Sequence, residues 1–180
     1  MRIVLKSGSP RRRELLLACG FDVVVQVPDI DERARAGEAP AAMVLRLALE
    51  KAGDAGGAVV VAADTTVVLD GEALEKPRDD DDARVMLARL AGRTHEVLTG
   101  WCVRGAGGER SGVVRTEVRF RELTAGEIEA YVATGEPRDK AGAYGIQGKG
   151  GGLVDWVRGS YPNVVGLPVA EVVAAIRGLS

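Results

Sequence analysis

From Ala58 to Leu69 the chain is apolar and rich in valine, interrupted only by Ala63-Asp64-Thr65-Thr66. Such a run reads as a strand, and Asp70-Gly71 at its end reads as a two-residue hairpin turn into a short return strand. An ionised carboxylate inside so apolar a stretch is expensive unless it is paired, hydrogen-bonded or bound to metal. Asp64 is therefore a candidate for chemistry as well as a feature of the fold. The small residues around it leave space for a ligand, and Thr65 adds a hydroxyl.

The remaining segments fit around this strand. Arg2–Lys6 reads as a buried strand, and Ser9 and Pro10 as the N-cap and first residue of a helix that runs to about Cys19 and stops at Gly20. A second strand over Phe21–Val27 leads into the acidic loop Pro28–Glu32. A helix over Pro40–Ala52 follows, and then a flexible break at Gly53–Gly57. Ala83, Met86, Leu87 and Leu90 carry helical spacing behind Asp79–Asp82, whose acids suit a helix N-terminus. Strands are predicted over His95–Arg104 and Gly112–Arg121, joined at Gly105–Gly108. Thr124 and Glu127 form a capping box for a helix ending near Gly135. Glu136–Gly152 reads as a glycine-crowded loop, and Val169, Val172, Val173 and Ile176 as a final amphipathic helix. Strands alternating with helices, with hairpins between, predict an α/β fold on a mixed twisted sheet with flanking helices.

Composition narrows the chemistry. At 180 residues one domain is expected, with room for two lobes. Lys and Arg number 24 against 26 Asp and Glu, so no global field draws the chain to nucleic acid or anionic lipid. No basic-then-apolar leader and no long uncharged apolar run are visible, which predicts a cytoplasmic protein outside the membrane. His95 is the only histidine, and Cys19 and Cys102 are far apart, so a His- or Cys-rich metal site is excluded. Any metal ligands are carboxylates, which suits Mg or Mn rather than zinc. Both cysteines sit among apolar residues and are expected to be buried thiols. His95 has no visible catalytic partners and is expected to be structural or at the surface.

Five clusters carry candidate chemistry: Ser7–Glu14, Asp64 with Thr65, the pair Asp31 and Glu32, Glu75-Lys76-Pro77, and Asp139–Gly148. The first joins a strand to a helix N-terminus, where unpaired N–H groups and the helix dipole favour an anion. Arg11 and Arg12 on that first turn oppose the dipole unless an anion is bound there, and their guanidinium groups match phosphate geometry. The P-loop pattern and the dinucleotide G-x-G-x-x-G pattern are both absent.

Taken in order, these stretches resemble the Maf family of nucleotide pyrophosphatases. The matching segments are Ser7-Gly8-Ser9-Pro10-Arg11-Arg12 with Glu14-Leu15-Leu16, Ala63-Asp64-Thr65, Glu75-Lys76-Pro77-Arg78, Thr99-Gly100, Asp139 through Gly148, Gly159-Ser160-Tyr161 and Val164 through Pro168. The resemblance implies a single domain over residues 1–180 with an inosine-triphosphatase-like fold, two lobes around a cleft, and a homodimer. It implies hydrolysis of a nucleoside triphosphate between the α and β phosphates with a divalent metal, Mg or Mn. By motif position Asp64 matches the proton acceptor and Glu32 its acidic partner, both toward the metal. Ser7, Arg11 and Lys76 match phosphate-contacting positions, Lys76 within the catalytic set. Arg12, Thr65 and Gln147 match positions linked to substrate choice, and the Asp-Lys-Ala-Gly-Ala-Tyr-Gly-Ile-Gln-Gly loop resembles the branch acting on dTTP and UTP, with modified pyrimidine nucleotides a further class. Lys6 and Thr66 depart from the family pattern. Lys6 either adds to the phosphate field or points away along its strand. The rival reading is a non-catalytic nucleotide-binding regulator of cell division, which the retained Asp64 and Lys76 disfavour.

Overall fold

The structure, a computed structural model, describes residues 1–179. In chain order they form β1 (Arg2–Leu5), α1 (Pro10–Ala18), β2 (Asp22–Val25), α2 (Pro40–Ala52), β3 (Val60–Leu69), β4 (Glu72–Leu74), α3 (Asp80–Leu90), β5 (Thr94–Gly105), β6 (Gly108–Phe120), α4 (Ala125–Val132), β7 (Val154–Arg158), α5 (Tyr161–Val165) and α6 (Val169–Leu179). One mixed sheet has the order β2-β1-β3-β5-β6-β7, with β4 paired to β3. β1 runs parallel to β2 and β3, whereas β3–β4 and β6–β7 are antiparallel. This is the mixed α/β architecture expected from the sequence. No helix of the described residues is long and apolar enough to cross a membrane.

The chain divides into two compact units that alternate along its length. Among the described residues the first holds Met1–Thr65, Thr99–Val114 and 166–179, and the second holds Thr66–Leu98 and Arg115–Val165.

In the first unit, β3 is buried on both faces, as a parallel strand covered by helices should be. Val61 and Ala63 pack with Leu16 of α1 and with Val172, Ile176 and Leu179 of α6. Val60 and Ala62 point the other way and pack with Ala48 and Ala52 of α2. Successive residues of a strand face opposite sides, so one strand supports two apolar layers. At Gly100 of β5 a Cβ would lie 2.1 Å from the Val44 carbonyl oxygen and 2.6 Å from the Leu45 nitrogen, so strand and helix α2 meet backbone to backbone. Gly100→Ala must push α2 away and is expected to cost about 1–3 kcal/mol, the range for overpacking a tight core. A lower urea midpoint at an unchanged slope would record it; an unchanged midpoint would mean that α2 does not rest there.

In the second unit the Asp70-Gly71 hairpin forms as expected, with φ of 53° and 81°, the two positive values a type I′ turn requires. Asp79 caps α3 by accepting from the Asp82 N–H, and Thr124 with Glu127 forms the complete capping box of α4. Three short 3-10 turns occupy Glu136–Asp139, Ala141–Ala143 and Gly148–Leu153, where a loop was expected.

Three expectations need correction. Strand β6 starts at Gly108 rather than Gly112, because the polar residues Glu109–Ser111 pair as strand without an apolar alternation to announce it. β7 and α5, at five residues each, are too short for a periodicity to register, and the sequence reading has neither. Cys102 is buried as expected, but Cys19 is exposed. It follows the last turn of α1, a helix that buries only Leu16 and leaves Leu17 in solvent.

Candidate active site

The alternation along β3 also sorts its polar residues. Asp64 has the parity of Val60 and Ala62 and so belongs to the α2 face, while Thr65 has the parity of Val61 and Ala63 on the α1 face. Each then meets a cation presented by the helix on its own side.

On the α2 side the buried Asp64 accepts through Oδ1 from Lys51 Nζ at 2.6 Å. The same ammonium lies 3.1 Å from Glu32 Oε2, so one buried lysine gathers both carboxylates expected at the metal. Lys51 is not among the residues expected from the sequence. Its signal was present, since Val44, Leu47, Ala48 and Lys51 follow helical spacing and all four are buried. A lysine on the core stripe of a helix needs a charge partner, and Asp64 is that partner.

Glu32 lies on an irregular segment that α2 holds in place. Arg46 donates to both Glu38 oxygens, at 2.6 and 2.7 Å, to Glu50 at 3.2 Å, and to the carbonyl of Arg33, the residue after Glu32, at 3.2 Å. Hydrogen bonds from Arg46 hold the Glu38 carboxyl at about 2. The neighbouring Asp31 is taken by Arg33, which grips both its oxygens and holds it near 2. Of the acidic pair, Glu32 therefore faces the site and Asp31 serves its own loop.

On the α1 side Arg12 fans three donors into the protein: Nε to the Gly166 carbonyl at 2.7 Å, Nη1 to Ser7 Oγ at 3.0 Å and Nη2 to Thr65 Oγ1 at 3.1 Å. The Thr65 hydroxyl lies 3.3 Å from the Gly166 carbonyl oxygen and 2.9 Å from Thr99 Oγ1, a pair in which either hydroxyl can donate. Ser7 Oγ also accepts from the Ser9 N–H at 3.2 Å. Burial lowers the Arg12 pKa and Asp64 opposes that shift; the ordinary value is so high that the group stays cationic. These bonds explain why Ser7, Arg12, Thr65, Thr99 and Gly166, distant in sequence, occur together. Arg11, at the second helical position of α1, sits beside them in a first turn that contains no acidic residue. Lys6, the residue after β1, reaches across to the residue after β2, donating to Gln26 Oε1 at 2.9 Å.

Lys76 and Gln147 are placed in the second unit, both exposed. Their segments touch through the Gly142 N–H, which donates to the Glu75 carbonyl at 3.2 Å. Among the described residues no three His, Cys, Asp or Glu gather to hold a metal unaided. Two carboxylates already sharing one cation are nevertheless the donor set magnesium uses when substrate phosphates and water complete its shell. Asp64 and Glu32 fit such an ion.

The family model described as "Maf-like protein" matches residues 2–179. A protein of Anaeromyxobacter dehalogenans (strain 2CP-C) named dTTP/UTP pyrophosphatase is 58% identical over 98% of this chain and 93% of its own length. Proteins of the same name from Myxococcus xanthus (strain DK1622) and Vibrio cholerae serotype O1 are 55% and 51% identical, covering 97% and 94% of this chain and 91% and 94% of theirs. Among solved structures, a HAM1 protein from Coxiella burnetii is 17% identical with a TM-score of 0.49, covering 99% of this chain and 93% of that one. With a family match running from Arg2 to Leu179, and more than half of its residues shared with such relatives, this chain belongs to the Maf family.

Proposed function

We propose that this chain hydrolyses dTTP and UTP to the nucleoside monophosphate and pyrophosphate, using Mg or Mn. The observation that carries the reading is the buried Asp64 carboxylate, joined through Lys51 to Glu32 and next in the chain to the Thr65 that holds Arg12. The pyrimidine choice follows the names of the relatives and the Gln147 loop.

A water oxygen attacks the α phosphorus, the bond to the bridging oxygen breaks, and pyrophosphate leaves. Lys51 holds Oδ1 of Asp64, so Oδ2 is the oxygen that takes the water's proton. Asp64 and Glu32 would hold the divalent cation, which when bound would supply charge neutralisation for the phosphates and acidify a water. Arg11, the N-terminal N–H groups of α1 and Lys76 supply positive charge for the triphosphate. Arg12 uses three of its five N–H donors to order Ser7, Thr65 and the Gly166 carbonyl, and the remaining N–H on each Nη adds a donor and its charge to the field for phosphate. Gln147 carries both a donor and an acceptor, matching the O4 and N3–H edge of thymine or uracil. Action as a cytoplasmic homodimer belongs to the same proposal, and light scattering of the purified protein tests the dimer.

The test is pyrophosphate release from a panel of nucleoside triphosphates with Mg, Mn or EDTA. Metal-dependent turnover of dTTP and UTP above the purines is expected. Binding without turnover of any nucleotide would leave a binding protein. Gln147→Ala is expected to raise KM for dTTP and to flatten the base preference; an unchanged preference rules out base reading by this residue.

A further inference from the structure

His95, the second residue of β5, is 2% exposed, and its Nε2 lies 2.7 Å from the hydroxyl of Tyr144. Phe120 of β6 closes the group. The three rings meet edge to face, with centroids 5.1, 5.4 and 4.7 Å apart. Burial pushes His95 down to about 4, so the imidazole is neutral near pH 7 and its bond to Tyr144 is not an ion pair. Nδ1 is buried without a partner among the described residues. A buried polar atom without a partner costs stability that an apolar side chain would not. An imidazole at this place therefore has its use in the bond to Tyr144.

Tyr144 stands three residues before Gln147, and the whole segment around Gln147 is held from within the second unit. The Gly145 N–H donates to the Tyr131 hydroxyl at 3.2 Å. On the far side the Lys149 and Gly150 N–H groups donate to the Glu136 carboxylate at 3.1 and 3.3 Å. Packing is close enough that a Cβ at Gly150 would lie 2.0 Å from the Gly145 carbonyl oxygen. Just ahead of Tyr144, Ala143 has φ of 60°, a left-handed conformation that is strained for a non-glycine residue. Strain of this kind persists only where the surroundings fix the backbone. Ile146 is buried while Gln147 next to it is exposed, so the fixed backbone aims one side chain outward.

We propose that His95 is a positioning residue for base selection: through its hydrogen bond to Tyr144 it fixes the segment that presents Gln147. This rests on the reading of Gln147 as the base-contacting residue. A bond set before substrate arrives removes the cost of ordering the segment on binding. Its effect therefore falls on KM for the matching base and not on the chemical step.

The experiment measures kcat and KM for dTTP, UTP and GTP, with thermal midpoints, in His95→Leu, His95→Gln, Tyr144→Phe, the His95→Leu/Tyr144→Phe pair and Gln147→Ala. His95→Leu and Tyr144→Phe are each expected to lose about tenfold in selectivity for dTTP over GTP, equivalent to about 1.4 kcal/mol. The loss should appear in KM for dTTP with kcat nearly constant, and the pair should be no worse than either single. His95→Gln, whose amide can reach the Nε2 position, should regain most of the selectivity. Tyr144→Phe removes a single hydroxyl and decides the matter if His95→Leu does not fold. Selectivity unchanged in Tyr144→Phe, while Gln147→Ala shifts it, overturns the positioning role alone. Selectivity unchanged in Gln147→Ala overturns the base-reading role, and the proposal with it. A fall in kcat that is equal for all three nucleotides also overturns the proposal.

Discussion

The Asp64→Asn protein is expected to release pyrophosphate about a hundred- to ten-thousandfold more slowly than the parent, the range for losing a positioned general base. The amide has nearly the volume of the carboxylate, so the packing of Ala62, Ala63 and Thr65 along β3 is kept. What changes is charge and basicity. An amide oxygen does not take a water proton near pH 7, and Lys51 is left with Glu32 as its only carboxylate. Nucleotide binding should survive, because Ser7, Arg12 and Thr65 are held by Thr99 and Gly166 without Asp64. Pyrophosphate release and a fluorescence titration with a labelled nucleotide separate the two effects. Parental turnover in Asp64→Asn would remove this residue from the mechanism.

Lys51→Met is expected to destabilise the protein by about 3 kcal/mol and to abolish turnover. Removing one member of a buried ion pair leaves the other as an uncompensated charge, a loss of about 3–5 kcal/mol. The lower end applies because the Glu32 side chain is 52% exposed and can regain water, whereas that of Asp64, at 13%, cannot. The double variant Lys51→Met/Asp64→Asn should be more stable than Lys51→Met alone, since it removes the unpaired charge. Mn should raise the melting temperature of Lys51→Met, because an ion bound only to the folded chain adds its binding energy to stability. Calorimetry with and without Mn checks both statements. A Lys51→Met protein as stable as the parent would show that the pair is not coupled, and a melting temperature indifferent to Mn would count against Asp64 and Glu32 as metal ligands.

Local patterns carried the sequence reading a long way. The apolar run around Asp64 identified a buried strand, Asp70-Gly71 its turn, Asp79 and Thr124 the starts of two helices, and Pro10 a third. Each is legible because the physical cause lies within a few residues of the effect: a period of two, a positive φ, a side chain capping a nearby N–H. Asp64 was conspicuous for the same reason, as a charge where its neighbours demand an apolar side chain.

Pairing across the chain was not legible in this way. Lys51 lies 13 residues from Asp64, and Arg12 lies 154 residues from the Gly166 carbonyl it holds. Both bonds exist because parallel pairing of β1 with β3 brings α1 and α2 to opposite faces of one strand. The sequence marked Arg12 for phosphate, and folding adds bonds from three of its five N–H donors to Ser7, Thr65 and Gly166. Composition marked Asp31 and Glu32 as a pair and motif position singled out Glu32; in the fold Arg33 takes Asp31 while Lys51 meets Glu32. Residue type and spacing thus marked candidate groups for chemistry and the elements on which they ride, Lys51 excepted. Which of them share a hydrogen bond depended on strand order and side-chain burial, because electrostatic pairing acts over a few ångströms in space and is indifferent to distance along the chain.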